Sequence, residues 1–261
     1  MRLAKCACIE LLYSELPFLD RFAAAKNDTF DFVEFWSWTD KNLDAIKTVA
    51  ADCGITISGF NGDADYSLVD PDQKGNYLEF LKKSVDAAKK IDALSVTIHS
   101  NALGDGGKVI NHYAGLSHTV KLCSMYDTLL ACATVAEQNS ITLYLEALNT
   151  VIDHVGNFLV HTSDAAEITR LIGSPRLKIL YDVYHMQLTE GKLCENISAF
   201  IDQIGHVHIA DVPGRHEPGT GEINYNHILN YLEKTGYTGL VGYELLPKAS
   251  TAEAVKAIMA Y

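Results

Sequence analysis

Residues 204–225 read IGHVHIADVPGRHEPGTGEINY, a short apolar strand that ends near His208 and runs into a polar loop with Asp211, Arg215, His216, Glu217 and Glu222. A strand that delivers a metal-type ligand at its C-terminal end, followed by a charged loop, is how a (β/α)₈ barrel builds a catalytic mouth. The rest of the chain then has to supply the other walls.

Working outward, short β-type runs alternate with helix-length segments along the whole sequence, the pattern of a parallel α/β fold. The spacing predicts strands over 3–9, 30–35, 55–60, 95–99, 141–146, 177–182, 206–210 and 240–244. Helical spacing falls over 16–25, 43–52, 73–90, 113–138, 164–172, 196–203, 226–234 and 251–259. Gly54 and Gly236 read as stop signals, Ser163 and Asp164 as start signals. Eight strands alternating with eight helices, with no composition shift or Gly/Ser linker, predict a single TIM-barrel domain over 1–261.

Barrel strands alternate between residues facing the interior and residues facing the helices. If Leu143 and Leu145, Ile179 and Tyr181, Val207 and Ile209, and Val241 and Tyr243 pack outward, then Glu146, Asp182, His208 and Glu244 point inward. Four consecutive strands thus place one ligand-type side chain each at the same height in the mouth. A single acidic residue at a strand end commonly caps a helix, and a lone strand histidine is commonly a core hydrogen-bonding group. Four in matching register instead predict a metal site. Three carboxylates and one imidazole suit Mn²⁺, Mg²⁺ or Co²⁺ better than a structural Zn²⁺ centre, with Zn²⁺ still compatible.

Further groups are expected around that site. His185 and Arg215 lie just beyond their strands, where they can bind a substrate oxygen or carboxylate, the guanidinium offering a planar fork. A loop salt bridge to Glu217 or Glu222 is the competing role for Arg215. Parity also turns His99 and Glu34 inward if Val96, Ile98, Val33 and Phe35 pack under helices. Trp36, Trp38 and Phe60 follow the second and third strands and are candidates to wall the pocket. His112, His118, His154, His161 and His227 show no partner pattern and read as surface or capping residues. GDGG at 104–107 lacks a phosphate-cradling context.

Composition sets the remaining bounds. A net charge of −12 over 261 residues would repel a phosphate backbone, so no nucleic-acid partner is expected. The six cysteines form no CxxC pair and no secretory leader is read, which predicts reduced thiols and a cytoplasmic location. No uncharged run of about 20 residues is present to span a membrane.

LYLEALNT, ILYDVYHMQLTEG, HIADVPGRHEPGTGEINY and GYTGLVGYELLP, together with ELPFLDRFAAA and FDFVEF, resemble the hydroxypyruvate isomerase family within the xylose isomerase-like TIM barrels. The similarity covers nearly the whole chain. It implies a divalent-metal-dependent isomerase that turns 3-hydroxypyruvate into tartronate semialdehyde through a metal-bound enediolate. Glu146, Asp182, His208 and Glu244 match the metal ligands, Glu146 and Glu244 also match the acid/base pair, and His185 and Arg215 match substrate-holding positions. It also implies a small keto-acid or ketose substrate and a homo-oligomer. The same site would serve a 2-oxo-tetronate isomerase or a ketose 3-epimerase; an endonuclease IV-like DNA-repair nuclease is the remote alternative. Leu246 stands where members often carry a Lys, and Cys8 where they often carry an Asn.

Overall fold

A computed structural model describes residues 3–261. Its strands are β1 (Ala4–Cys8), β2 (Phe32–Phe35), β3 (Thr56–Asn61), β4 (Ser95–Ile98), β5 (Thr142–Glu146), β6 (Leu177–Asp182), β7 (Ile204–His208) and β8 (Leu240–Tyr243). They run parallel in chain order, and β8 pairs back onto β1 to close the barrel. Closure leaves no sheet edge exposed. The helices around it are α1 (Asp20–Asn27), α2 (Leu43–Cys53), α3 (Lys74–Lys90), α4 (His118–Asn139), α5 (Thr162–Ile172), α6 (Val183–Thr189), α7 (Leu193–Phe200), α8 (Tyr225–Lys234) and α9 (Thr251–Met259).

The alternation of the strands decides what lies where. Val33, Val96, Leu143, Ile179, Val207 and Val241 are fully buried under the helices, against residues such as Phe22, Ile46, Leu81 and Leu129. The residues of opposite parity along each strand turn into the barrel, which carries Glu34, Glu146, Asp182, His206, His208 and Glu244 toward its axis. All six cysteines are free, and among the described residues no helix is long and apolar enough to cross a membrane.

Several boundaries differ from the sequence-based expectation, each for a local reason. The segment 10–19 turns rather than coils, because Arg21 ties it down through the carbonyls of Leu16 at 2.9 Å and Ile9 at 2.8 Å. Helix α4 starts at His118, where Ser117 accepts from the Val120 amide. In α5, Ser163 and Asp164 sit inside the first turn, and the residue before it, His161, makes no capping bond. Helix α7 begins three residues earlier than read. β7 stops at His208, beyond which Ile209 N–H still donates to Gly242 O at 2.8 Å before the loop begins.

The largest departure is α6, a helix absent from the sequence-based pattern. Asp182 ends β6 and caps α6 at once: its Oδ1 accepts from Tyr184 N at 2.7 Å and His185 N at 3.2 Å. A side-chain oxygen that satisfies the first free amides of a helix is a strong N-terminal signal. It starts the helix with no turn residues between.

The loop after β7 is built around a single buried carboxylate. Asp211 accepts from the amides of Val212 at 2.9 Å, Gly219 at 3.0 Å, Gly221 at 2.9 Å and Ile223 at 3.0 Å. Gly221 is required here, since a Cβ would lie 2.0 Å from Val212 O. Two bonds then staple this loop to the segment after β8: Leu246 N–H donates to Arg215 O at 2.8 Å, and Lys248 N–H to Glu217 Oε2 at 3.0 Å. Arg215, in the left-handed region at φ 56°, is thereby aimed over the barrel. Replacing Asp211 by Ala is expected to lower stability by about 2–3 kcal/mol, the scale of a lost charged acceptor. Amide hydrogen exchange should show Gly219, Gly221 and Ile223 losing protection while the strand amides keep theirs.

Candidate active site

Glu146, Asp182 and His208 are the last residues of β5, β6 and β7, and Glu244 directly follows β8. All four are buried. Asp182, His208 and Glu244 each bring one ligand atom within 4.8 Å of the others, and so do Glu146, Asp182 and His185. Asp182 belongs to both groups, so the four expected ligands converge through it. Its Oδ1 is occupied by the α6 amides, which leaves Oδ2 to face the mouth.

The charges around this point oppose one another closely. Burial would raise the Glu244 carboxyl, but Arg215 and His208 outweigh it and hold it well below the usual range. For Asp182 burial wins, and its carboxyl is raised despite Arg215 and His208. The His208 imidazole is pushed well above its ordinary value: burial opposes this, and Glu34 with Glu244 overrides it. Burial, reinforced by the Arg215 charge, drives His185 down to about 3, so its ring stays neutral. Asn149 Nδ2 donates to His185 Nδ1 at 2.6 Å, which selects the tautomer with the proton on Nε2, 3.6 Å from Asp182 Oδ2.

Arg215 is brought to the mouth as expected, yet its pairing is with Glu244 Oε2 and, at 3.9 Å, Asp182 Oδ2. The loop alternatives are otherwise engaged: Glu217 takes the Lys248 amide and Glu222 takes Gln187 Nε2 at 3.1 Å. Trp36 reaches the site through Nε1, which donates to Glu244 Oε1 at 2.5 Å, and the residue as a whole is 39% exposed. Trp38 does not, since it donates to Ser84 Oγ at 3.0 Å under the helices. Phe60 borders the cavity inside the barrel, but its ring is buried and stacked on Phe35 with centroids 5.6 Å apart, so it backs the wall and offers a substrate no open face. His99 is inward, but each ring nitrogen lies 3.1 Å from a carboxylate oxygen, Asp63 Oδ1 on one side and Glu146 Oε2 on the other. Both of its ring nitrogens thus face carboxylates.

Other residues also reach the site, among them His154, which the sequence reading left at the surface or in a cap. His154 is buried, with its ring 5.1 Å from that of His185 and Nδ1 2.7 Å from Gly107 O, which gives the GDGG turn a structural use. Tyr184 lies under the Arg215 guanidinium, 5.2 Å from ring centroid to Cζ. Deeper in the barrel, Glu34 sits between two imidazoles, 3.0 Å from His206 Nε2 and 3.1 Å from His208 Nε2. Burial would raise the Glu34 carboxyl, yet His208 and His206 pull it down to about 2. Only strand parity signalled Glu34, and nothing local in the sequence named its partners.

The donor set fits a divalent cation. Glu146 Oε1 and His208 Nδ1 are both buried without a hydrogen-bond partner, and the neighbouring groups are carboxylates that need positive charge. Hard oxygen donors with one imidazole match the preferences of such ions.

A sequence profile described as the xylose isomerase-like TIM barrel matches residues 22–261. The chain belongs to this family. It is 32% identical over 258 residues to the hydroxypyruvate isomerase of Escherichia coli, covering 94% of each chain. It is 30% identical over 258 residues to the 2-oxo-tetronate isomerase of Cupriavidus necator, again over 94% of each. Among solved structures, a Brucella melitensis protein described as an AP endonuclease of family 2 superposes with a TM-score of 0.89 at 26% identity, covering 99% of both chains.

Because a ligating nitrogen must be free of its proton, the raised His208 imidazole has to release one when a metal binds. Its charged form persists below the raised value, so apparent affinity should fall by about tenfold per pH unit as pH drops through the neutral range. Titration calorimetry of Mn²⁺ in Pipes and in Tris should differ by the heat of about one buffer proton per ion. Equal heats would mean that His208 does not ligate.

Proposed function

We propose that the chain is a divalent-metal-dependent isomerase of small hydroxy-keto acids, interconverting 3-hydroxypyruvate and tartronate semialdehyde, with Glu146 and Glu244 as its acid/base pair. One observation carries this reading: three buried carboxylates and an imidazole converge at the C-terminal mouth of the barrel, and one of them, Glu146, keeps an oxygen free of any hydrogen bond. The full-length similarity to isomerases of that substrate class supports it. The oxygen-rich donor set favours Mn²⁺ or Mg²⁺.

A cation held by Glu146, Asp182, His208 and Glu244 would supply Lewis-acid charge to the adjacent carbonyl and hydroxyl oxygens of the substrate. The protein does the rest. Arg215 presents its guanidinium at the mouth, and with apolar Leu246 at the rim, 47% exposed, recognition of the substrate carboxylate falls to that fork. His185, neutral and protonated on Nε2, donates to a substrate oxygen. A glutamate takes the proton from the hydroxyl-bearing carbon, and the same or the opposite glutamate returns one to the neighbouring carbon. The hydroxyl proton passes to the former carbonyl oxygen, so reactant and product carry the same atoms.

Trp36 favours a second reading on the same site. This exposed residue, bonded to Glu244, would pack against a longer carbon chain, such as the four-carbon acid named for the Cupriavidus relative.

A positioned carboxylate contributes roughly 10²- to 10⁴-fold to such a proton transfer. Glu146→Gln and Glu244→Gln are therefore each expected to lose at least ~10² in kcat with melting temperatures close to the parent. Proton NMR in D₂O with Mn²⁺ and hydroxypyruvate, or a four-carbon 2-oxo acid, reads both conversion and solvent deuterium in the product. Near-parental turnover in both variants would remove the glutamates from the mechanism.

A further inference from the structure

His99 and Asp63 form a buried pair that neither ligates the mouth nor touches open space. His99 stands one residue past β4, and Asp63 two residues past β3, with side chains 5% and 6% exposed. Asp63 grips His99 twice. Its Oδ2 accepts from the His99 backbone amide at 2.5 Å, and its Oδ1 lies 3.1 Å from Nδ1. The ring is thus fixed both where its backbone starts and where its near nitrogen ends. The far nitrogen, Nε2, reaches Glu146 Oε2 at 3.1 Å.

We propose that His99, oriented by Asp63, is a positioning residue that fixes the carboxylate plane of Glu146, so that Oε1 alone is presented to metal and substrate. The inference rests on the reading of Glu146 as ligand and base. A free glutamate carboxylate rotates broadly about its last torsion. With Oε2 tied to a ring that is itself held at two points, that rotation is removed, and Oε1 is the buried oxygen left without a partner. Glu244 differs, since Trp36 and Arg215 each donate to one of its oxygens. The ring bridges two buried carboxylates at the same distance, 3.1 Å to Asp63 Oδ1 and 3.1 Å to Glu146 Oε2. Partners that orient a ligand in this way commonly govern metal affinity or activity by 10- to 100-fold.

Four variants separate this role from its rivals: Asp63→Asn, His99→Leu, the double variant, and His99→Gln, whose amide nitrogen stands close to the position of Nε2. Mn²⁺ affinity is read by calorimetry without substrate, and kcat and KM are read on the metal-saturated protein. Asp63→Asn and His99→Leu should each weaken Mn²⁺ binding by about tenfold and lower kcat by 10- to 100-fold, with KM within about twofold. The double variant should be no worse than the worse single one, because the two act as one device. His99→Gln should recover most of the loss.

Three results would overturn the proposal. A rise in KM with kcat unchanged would make His99 a substrate contact. Unchanged affinity and kcat with only a lower melting temperature would make the pair a tie between two loops. A parent protein that binds neither Mn²⁺ nor Mg²⁺ would leave no ligand to aim. If the parent binds metal but turns over no substrate offered, the isomerase reading fails, and the calorimetric cycle still decides the role of His99.

Discussion

Glu146, Asp182 and Glu244 are buried together at the mouth of one barrel, and most of what surrounds them exists to make that tolerable. Removing a carboxylate from water costs several kcal/mol unless charge and hydrogen bonds replace the water. Each of the three receives a different replacement: Glu244 the guanidinium of Arg215 and the indole N–H of Trp36, Asp182 the first amides of α6, Glu146 the ring of His99. The supporting groups need support in turn. Arg215 depends on a loop wound around Asp211, His99 on Asp63, and His208 on Glu34. The architecture therefore reads outward from the buried charge, and a divalent cation at its centre would complete the compensation that the side chains supply only in part.

Asp182 shows how local structure and chemistry share one residue. Its Oδ1 begins α6, and the start of that helix places His185 three residues on, one turn further, where the ring faces back toward Oδ2. The same capping interaction thus orients the carboxylate, starts the helix and delivers a neutral imidazole to the site. No separate loop is needed between β6 and its helix.

The strands were legible from the sequence because their signal is local. Alternation with period two turns Val207 out and His208 in whatever the rest of the chain does, and the same logic located Glu146, Asp182 and Glu244. α6 was not legible: a strand that passes directly into a helix offers no Gly, Pro or polar run to mark the change, and Asp182 looked like a ligand when it is also a cap. The roles of His99 and His154 depended on Asp63 and on the Gly107 carbonyl, each more than thirty residues away in sequence. Contacts of that range leave no periodic trace, so parity gave the direction of His99 and missed what it would meet.

Gly242 illustrates the same dependence from the side of space instead of charge. It faces the barrel interior, and a Cβ there would lie 2.3 Å from Glu34 Oε1, 2.7 Å from His208 Cδ2 and 2.9 Å from His206 Nε2. Glycine inside a strand weakens the strand. Its backbone pairs in register with β1 and β7 nonetheless, so the fold accepts that cost at the one level where two imidazoles and a carboxylate must interdigitate. Were the interior apolar at this height, a Val or Ile would fill it better, as barrel layers commonly do. The missing side chain is therefore itself a trace of the site: the packing of β8 is set by the need to hold Glu34 behind His208, and through His208 by the charge at the mouth.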